Sequence, residues 1–237
     1  MLGPEKNIRG FNLLELLVVV ALIGVLSAAA YPNFQSWKKD RQVRQAVIKV
    51  KSLISGINTQ VQRGAYTYVQ FEIKPEDDSV TFNTRGLRAA EVGLKKTEDS
   101  LWQVGASNSA KCVIDDTAAD YWMPDISISD TSPDETETGI IAFYQSDDIT
   151  VDIPVVAAVC FSKNDTYYGA NGLESGSFYI CPRSESDSVC SISDTTGLPS
   201  DEASLDVQKN LFRVSWSRFG AVAIEKYNIS DENWYLQ

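Results

Sequence analysis

Residues 9–37 read RGFNLLELLVVVALIGVLSAAAYPNFQSW, and this stretch decides the fold. From Leu16 to Trp37 run 22 residues without a charge. A bilayer core is crossed by roughly 20 apolar residues in a helix, so the run is long enough to span one. A fully buried core helix is the soluble alternative, but charge-free runs of this length are unusual there. Ahead of the run lies a short polar stretch, MLGPEKNIRG, with Lys6 and Arg9. One carboxylate, Glu15, stands at the start of the apolar segment. Carried unpaired into lipid it costs several kcal/mol, so it either serves a function or snorkels to the interface.

Working outward, the helical pattern continues past the apolar run. Val43, Val47, Val50, Ile54, Ile57 and Val61 recur at spacings of three and four, which makes one apolar stripe on a basic helix. Gly64 is an end signal, and Pro32 predicts a kink. A helix over 11–62 reaches roughly 78 Å at 1.5 Å per residue. Its first half has no polar face and its second half has one.

After Gly64 the period changes to two. Segments 66–74, 79–84, 140–144, 149–161, 177–181, 211–216 and 221–229 read as strands, separated by loops rich in Asp, Ser, Thr, Gly and Pro. The expected class is α+β: a long amino-terminal helix forming a stalk, its carboxy-terminal half packed on an antiparallel β head.

Charge divides the chain, whose formal net charge is −11. Between Cys112 and Asn210 stand 19 acidic residues against Lys163, Arg183 and Lys209. From Lys38 to Arg63 the balance reverses, with seven basic residues and only Asp40. An acidic head repels phosphate backbones, which argues against nucleic acid as its partner. Acidic loops also keep an exported domain soluble.

Four cysteines, Cys112, Cys160, Cys181 and Cys190, all lie in the second part of the chain, and there is no histidine and no CxxC. Zinc signatures are therefore absent and no cofactor is implied. An even count in a polar head favours two disulfides. Cys181–Cys190 with Cys112–Cys160 is one arrangement; Cys160–Cys181 with Cys112–Cys190 is the other.

The unit Arg9-Gly10-Phe11-Asn12-Leu13-Leu14-Glu15, running straight into the apolar segment, closely resembles the processing site of type IV prepilins and pseudopilins (the class III signal peptide). The resemblance implies cleavage after Gly10 by the membrane-embedded prepilin peptidase and methylation of the new terminus at Phe11. It assigns Glu15 to assembly, meeting the terminal amine of a neighbouring subunit, and Pro32 to the family's helix-breaking position. Glycine suits the cut because it lets the backbone lie extended in a narrow cleft. The implied organisation is a cleaved leader at 1–10, a helix at 11–63 that is transmembrane over about 16–37 and amphipathic over 38–63, and a β head at 64–237. A stretch from Val80 through Gly86, and Phe219-Gly220 between two strands as a closing hairpin, are similar to the GspH/FimT group of minor pilins and pseudopilins.

One feature pulls the other way. Counting Lys/Arg around the span puts two before it and six soon after, which alone places the head in the cytoplasm. The processing motif and the cysteines outweigh this and place the head in the periplasm, then on a periplasmic or cell-surface filament.

Enzyme chemistry is not expected: without histidine there is no Ser-His-Asp or Cys-His arrangement, and no GxSxG, P-loop or HExxH occurs. Asp187, Asp194, Asp201, Glu202 and Asp206 can supply oxygen ligands to calcium, but the DxDxDG spacing is missing. The expectation is a structural subunit, a minor pilin or pseudopilin, of a type IV pilus, type II secretion or DNA-uptake filament. Its partners are other pilin or pseudopilin subunits, the prepilin peptidase, the inner-membrane assembly platform and the membrane itself. A major pilin, or an adhesion or ligand-binding head mounted on a pilus, is the alternative.

Overall fold

A computed structural model describes residues 12–76, 79–89, 92, 112, 143–146, 149–152, 156–163, 168–170, 173, 176–183, 190–193, 196–200, 203–217 and 219–237. Within these, the side chains at 29, 30, 32, 33, 35, 143–146 and 168–170 lie outside the description. One helix, α1 (Leu13–Gln62), opens the chain. Its first part belongs to one compact unit, residues 1–39, and its second part to another, residues 40–237.

Among the described residues of the second unit, ten strands make two antiparallel sheets. The first has the order β3 (Phe143–Ser146), β2 (Val80–Leu87), β1 (Tyr68–Pro75), β5 (Ala157–Ser162), β6 (Tyr168–Ala170). The second has the order β10 (Asn233–Leu236), β9 (Val222–Asn228), β8 (Phe212–Trp216), β7 (Ser177–Pro182), β4 (Ile149–Val151). A short helix, α2 (Leu205–Lys209), precedes β8; the Ser204 hydroxyl caps it by accepting from the Val207 amide at 3.4 Å.

The helix stripe and the sheets share one core. Val43, Val47, Val50, Ile54, Ile57 and Val61 are fully buried with Phe71 and Ile73 of β1, Phe82 of β2, Phe161 of β5, Phe178 of β7, and Phe212 and Val214 of β8. Each such side chain stabilises the fold by about 1.5–3 kcal/mol relative to exposure. Phe71 stacks with Phe82 at 5.9 Å and with Phe178 of the other sheet at 6.3 Å, so an aromatic series joins the two sheets.

The other face of β1 is buried as well. Gln70 and Glu72 are inaccessible, and Glu72 forms an ion pair with Arg85 of β2 at 2.8 Å, one register position off its direct partner Asn83 along that face. Cys160, directly opposite Gln70 on β5, is bridged on this side to the buried Cys112.

The two disulfides are Cys112–Cys160 and Cys181–Cys190. The second sits in its own apolar cluster with Val207, Leu211 and Tyr227. Closing so short a loop contributes about 2–3 kcal/mol in the chain-entropy account. Peptide mapping of the protein without reductant should return these two linked pairs. Four free thiols, or a Cys160–Cys181 link, would refute this arrangement.

Two glycines are required by close approach. A Cβ on Gly86 would come within 2.6 Å of the Tyr66 ring, over which the Arg88 guanidinium lies. Gly220, at φ +74°, closes the β8–β9 turn, where the Ser217 hydroxyl accepts from the amides of Phe219 and Ala221. A Cβ there would overlap the Asn58 side chain of α1. This turn is therefore clamped directly onto the helix.

Two strand expectations need correction, and β6 lies outside every expected segment. The segment 149–161 is two strands in different sheets, β4 and β5, and Pro154 in the sequence between them has no N–H for a ladder. The hairpin of β8 and β9 is not the last element, because the chain turns at 229–232 and returns as β10. There the Asn228 side-chain oxygen accepts from the Ser230 amide, and Glu232 takes the left-handed conformation at φ +51°. The three-residue β6 is too short to show a period.

Candidate assembly element at the amino terminus

The element proposed for assembly begins at Asn12. Its side-chain oxygen accepts from the Leu14 amide at 3.3 Å and its carbonyl accepts from Leu16 at 3.2 Å. The Asn12 side chain thus satisfies one of the orphan amides that open a helix, and its carbonyl takes the first intrahelical bond. Glu15 lies in the first helical turn, where the positive end of the helix dipole favours a carboxylate. It is exposed, and among the described residues no cation pairs with it.

Around Glu15 the side chains are apolar and uncovered. Leu13, Leu14, Leu16, Leu17, Val18, Val19, Val20, Leu22, Ile23, Val25 and Leu26 are 45–80% exposed. Further along, Phe34 and Trp37 contact each other at 5.8 Å, and both are more than half exposed. A helix that is apolar all round needs lipid or other chains against it. Among the described residues no helix is long and apolar enough to cross a membrane. The described side chains of the apolar run stop at Ala28 and resume at Tyr31, so the 22-residue uncharged run is a property of the sequence.

Gly10 and Phe11 lie outside the described residues, and α1 continues through Pro32, whose side chain is not described. Of the candidate calcium ligands only Asp206 is described. Asp40, which the sequence marks only as the lone acid in a basic stretch, has a structural role. It pairs with Lys226 of β9 at 2.5 Å and approaches Arg44 at 3.9 Å, and both cations lie over the Phe212 ring. The signal was available: one acid kept among seven bases.

A family model described as the prokaryotic N-terminal methylation motif matches residues 6–31, the stretch holding Gly10, Phe11 and Glu15. The amino-terminal stretch of the chain is similar to that of type IV pilins. It is 39% identical over 59 residues to a fimbrial protein of Pseudomonas aeruginosa, covering 25% of this chain and 38% of that protein. It is 30% identical over 71 residues to the type IV major pilin protein PilE of Neisseria gonorrhoeae, covering 30% and 38%. With the fimbrial protein EcpB of Eikenella corrodens it shares 29% identity over 92 residues, 39% and 54% of the two chains. The matched region thus spans little more than half of these pilins at most. No solved structure matches.

Proposed function

We propose that this pilin-family chain is a non-enzymatic filament subunit, made as a prepilin, cleaved after Gly10, methylated at Phe11 and stored in the inner membrane through 16–37. The observation that carries the reading is the uncovered apolar helix with a single carboxylate in its first turn, inside the stretch that the methylation motif matches. Storage in lipid and packing in a filament are the two ways to cover such a helix. In the filament Glu15 meets the Phe11 amine of a neighbour, so that two charges are removed from the apolar bundle together. Pro32 loosens the helix between its two halves.

Within the family the reading is a minor pilin or pseudopilin of a type IV pilus, a type II secretion system or a DNA-uptake machine. It is supported by the Gly86 and Gly220 stretches, whose glycines have steric reasons to be there. A major pilin is the second reading, favoured by the similarity to the gonococcal major pilin PilE. Quantitative mass spectrometry of sheared filaments separates them: this chain as the dominant species supports the major pilin, a trace component the minor one.

The direct test is the mass of membrane-held protein made with and without prepilin peptidase. With the enzyme, the chain should begin at Phe11 and carry one added methyl group. A chain still beginning at Met1 would end the filament-subunit reading.

A further inference from the structure

Three rings and a pair of ammonium groups follow one another closely on α1. Tyr31, Phe34 and Trp37 are 63%, 56% and 53% exposed, and the last two touch at 5.8 Å between ring centroids. Spacings of three make them neighbours along the helix surface. Lys38 comes next and is exposed, and Lys39 beside it is half-buried. All five belong to the unit 1–39, and none of the rings is in the core of the head.

Length decides where these rings lie in a bilayer. The uncharged run of 22 residues makes about 33 Å of helix, against a hydrocarbon core of about 30 Å. With Leu16 at one face of that core, the turn holding Phe34 and Trp37 emerges at headgroup level on the other. Aromatic rings gather at that level, with one part in hydrocarbon and the other wet. Lysines just beyond it reach the phosphates on their flexible stems.

Charge then chooses the headgroup. From Lys38 to Arg63 seven basic residues face one acid, Asp40. That acid is held by Lys226 of β9 at 2.5 Å. The cations past the span are the feature that charge counting reads as a cytoplasmic signal, and assembly into a filament gives them no use. An anionic membrane surface does, because it attracts each lysine within about 8 Å of it. Lys49 and Lys51 stand ten and twelve residues beyond Lys39, at least about 15 Å of helix, outside that range.

We propose that residues 31–39 bind anionic phospholipid at the membrane surface where the span ends. Tyr31, Phe34 and Trp37 sit at headgroup level, and the ammonium groups of Lys38 and Lys39 meet lipid phosphates. A zwitterionic lipid is a poorer partner, because its own ammonium competes for the phosphate. A subunit leaving the bilayer gives up these headgroups, so the contact retains the stored pool. The inference rests on the proposed span over 16–37 and not on polymerisation.

The test places the mature full-length chain in nanodiscs of equal parts phosphatidylglycerol and phosphatidylcholine. Native mass spectrometry counts the lipids it keeps on release. Phosphatidylglycerol should be retained over phosphatidylcholine by at least about fivefold, the gain from one lysine at an anionic surface. Lys38→Gln with Lys39→Gln should bring the two lipids to parity. Lys49→Gln with Lys51→Gln should leave the preference unchanged. Equal retention by the unaltered chain overturns the proposal, and so does a preference that follows Lys49 and Lys51 instead. A chain that alkaline carbonate strips from membranes rejects the span and this inference with it. An integral chain that forms filaments without the lipid preference rejects the inference alone. The lipid preference in a chain that never polymerises upholds it and rejects the filament reading.

Discussion

Glu15→Ala is expected to abolish polymerisation while leaving the head folded, the cut after Gly10 made and the chain in the membrane. The separation follows from where the residue sits. Glu15 is in the first turn of α1, within the unit 1–39, and the head's core begins at Val43 in the other unit. Removing a carboxylate from the start of an apolar span makes insertion easier. Assembly is different. Under the proposed pairing, the neighbour's Phe11 amine would be buried without a counter-charge, and breaking one partner of such a pair costs about 3–5 kcal/mol per contact. Glu15→Gln keeps the shape and removes the charge, so it should fail like alanine if charge pairing is the cause. The measurement is the filament fraction by co-sedimentation, with the membrane-held pool followed in parallel. An unchanged filament fraction for both variants would reject the pairing.

The second large effect is expected at Gly220. Alanine there is penalised twice. At φ +74° an L side chain costs about 1–2 kcal/mol, and its Cβ would overlap the Asn58 side chain of α1. Forcing extra atoms into a packed contact costs about 1–3 kcal/mol. The sum is roughly 2–5 kcal/mol, which in a unit of this size lowers the melting temperature by about 5–15 °C. Asn58→Gly opens the space, so the double variant should recover the steric part and not the conformational part. The check is a double-mutant cycle by denaturant unfolding of the mature chain, read by tryptophan fluorescence. A coupling energy below about 0.5 kcal/mol would show that the turn is not clamped on the helix.

These two residues differ in how they could be found. Glu15 is legible in sequence because its anomaly is local: a charge at the edge of a 22-residue uncharged run, behind a glycine and a phenylalanine. Gly220 stands out only as a turn residue; that it faces Asn58, 162 positions earlier, is a tertiary fact.

By itself the sequence determined the long helix, the change at Trp37 from apolar all round to one apolar stripe, and the β character of the chain beyond Gly64. These are periodicities of 3.6 and 2, set by the covalent geometry of neighbouring residues. Tertiary structure decided which strand pairs with which. It placed Ile149–Val151 and Ala157–Ser162 in different sheets, and it brought the chain back as β10 after two strands that looked like an ending. It also selected Cys112–Cys160 with Cys181–Cys190 from two arrangements that the spacing leaves open, and it joined Asp40 to Lys226 across 186 residues. Such choices depend on which buried faces meet. That is a comparison of alternative packings of the whole chain, and no local window of residues contains it.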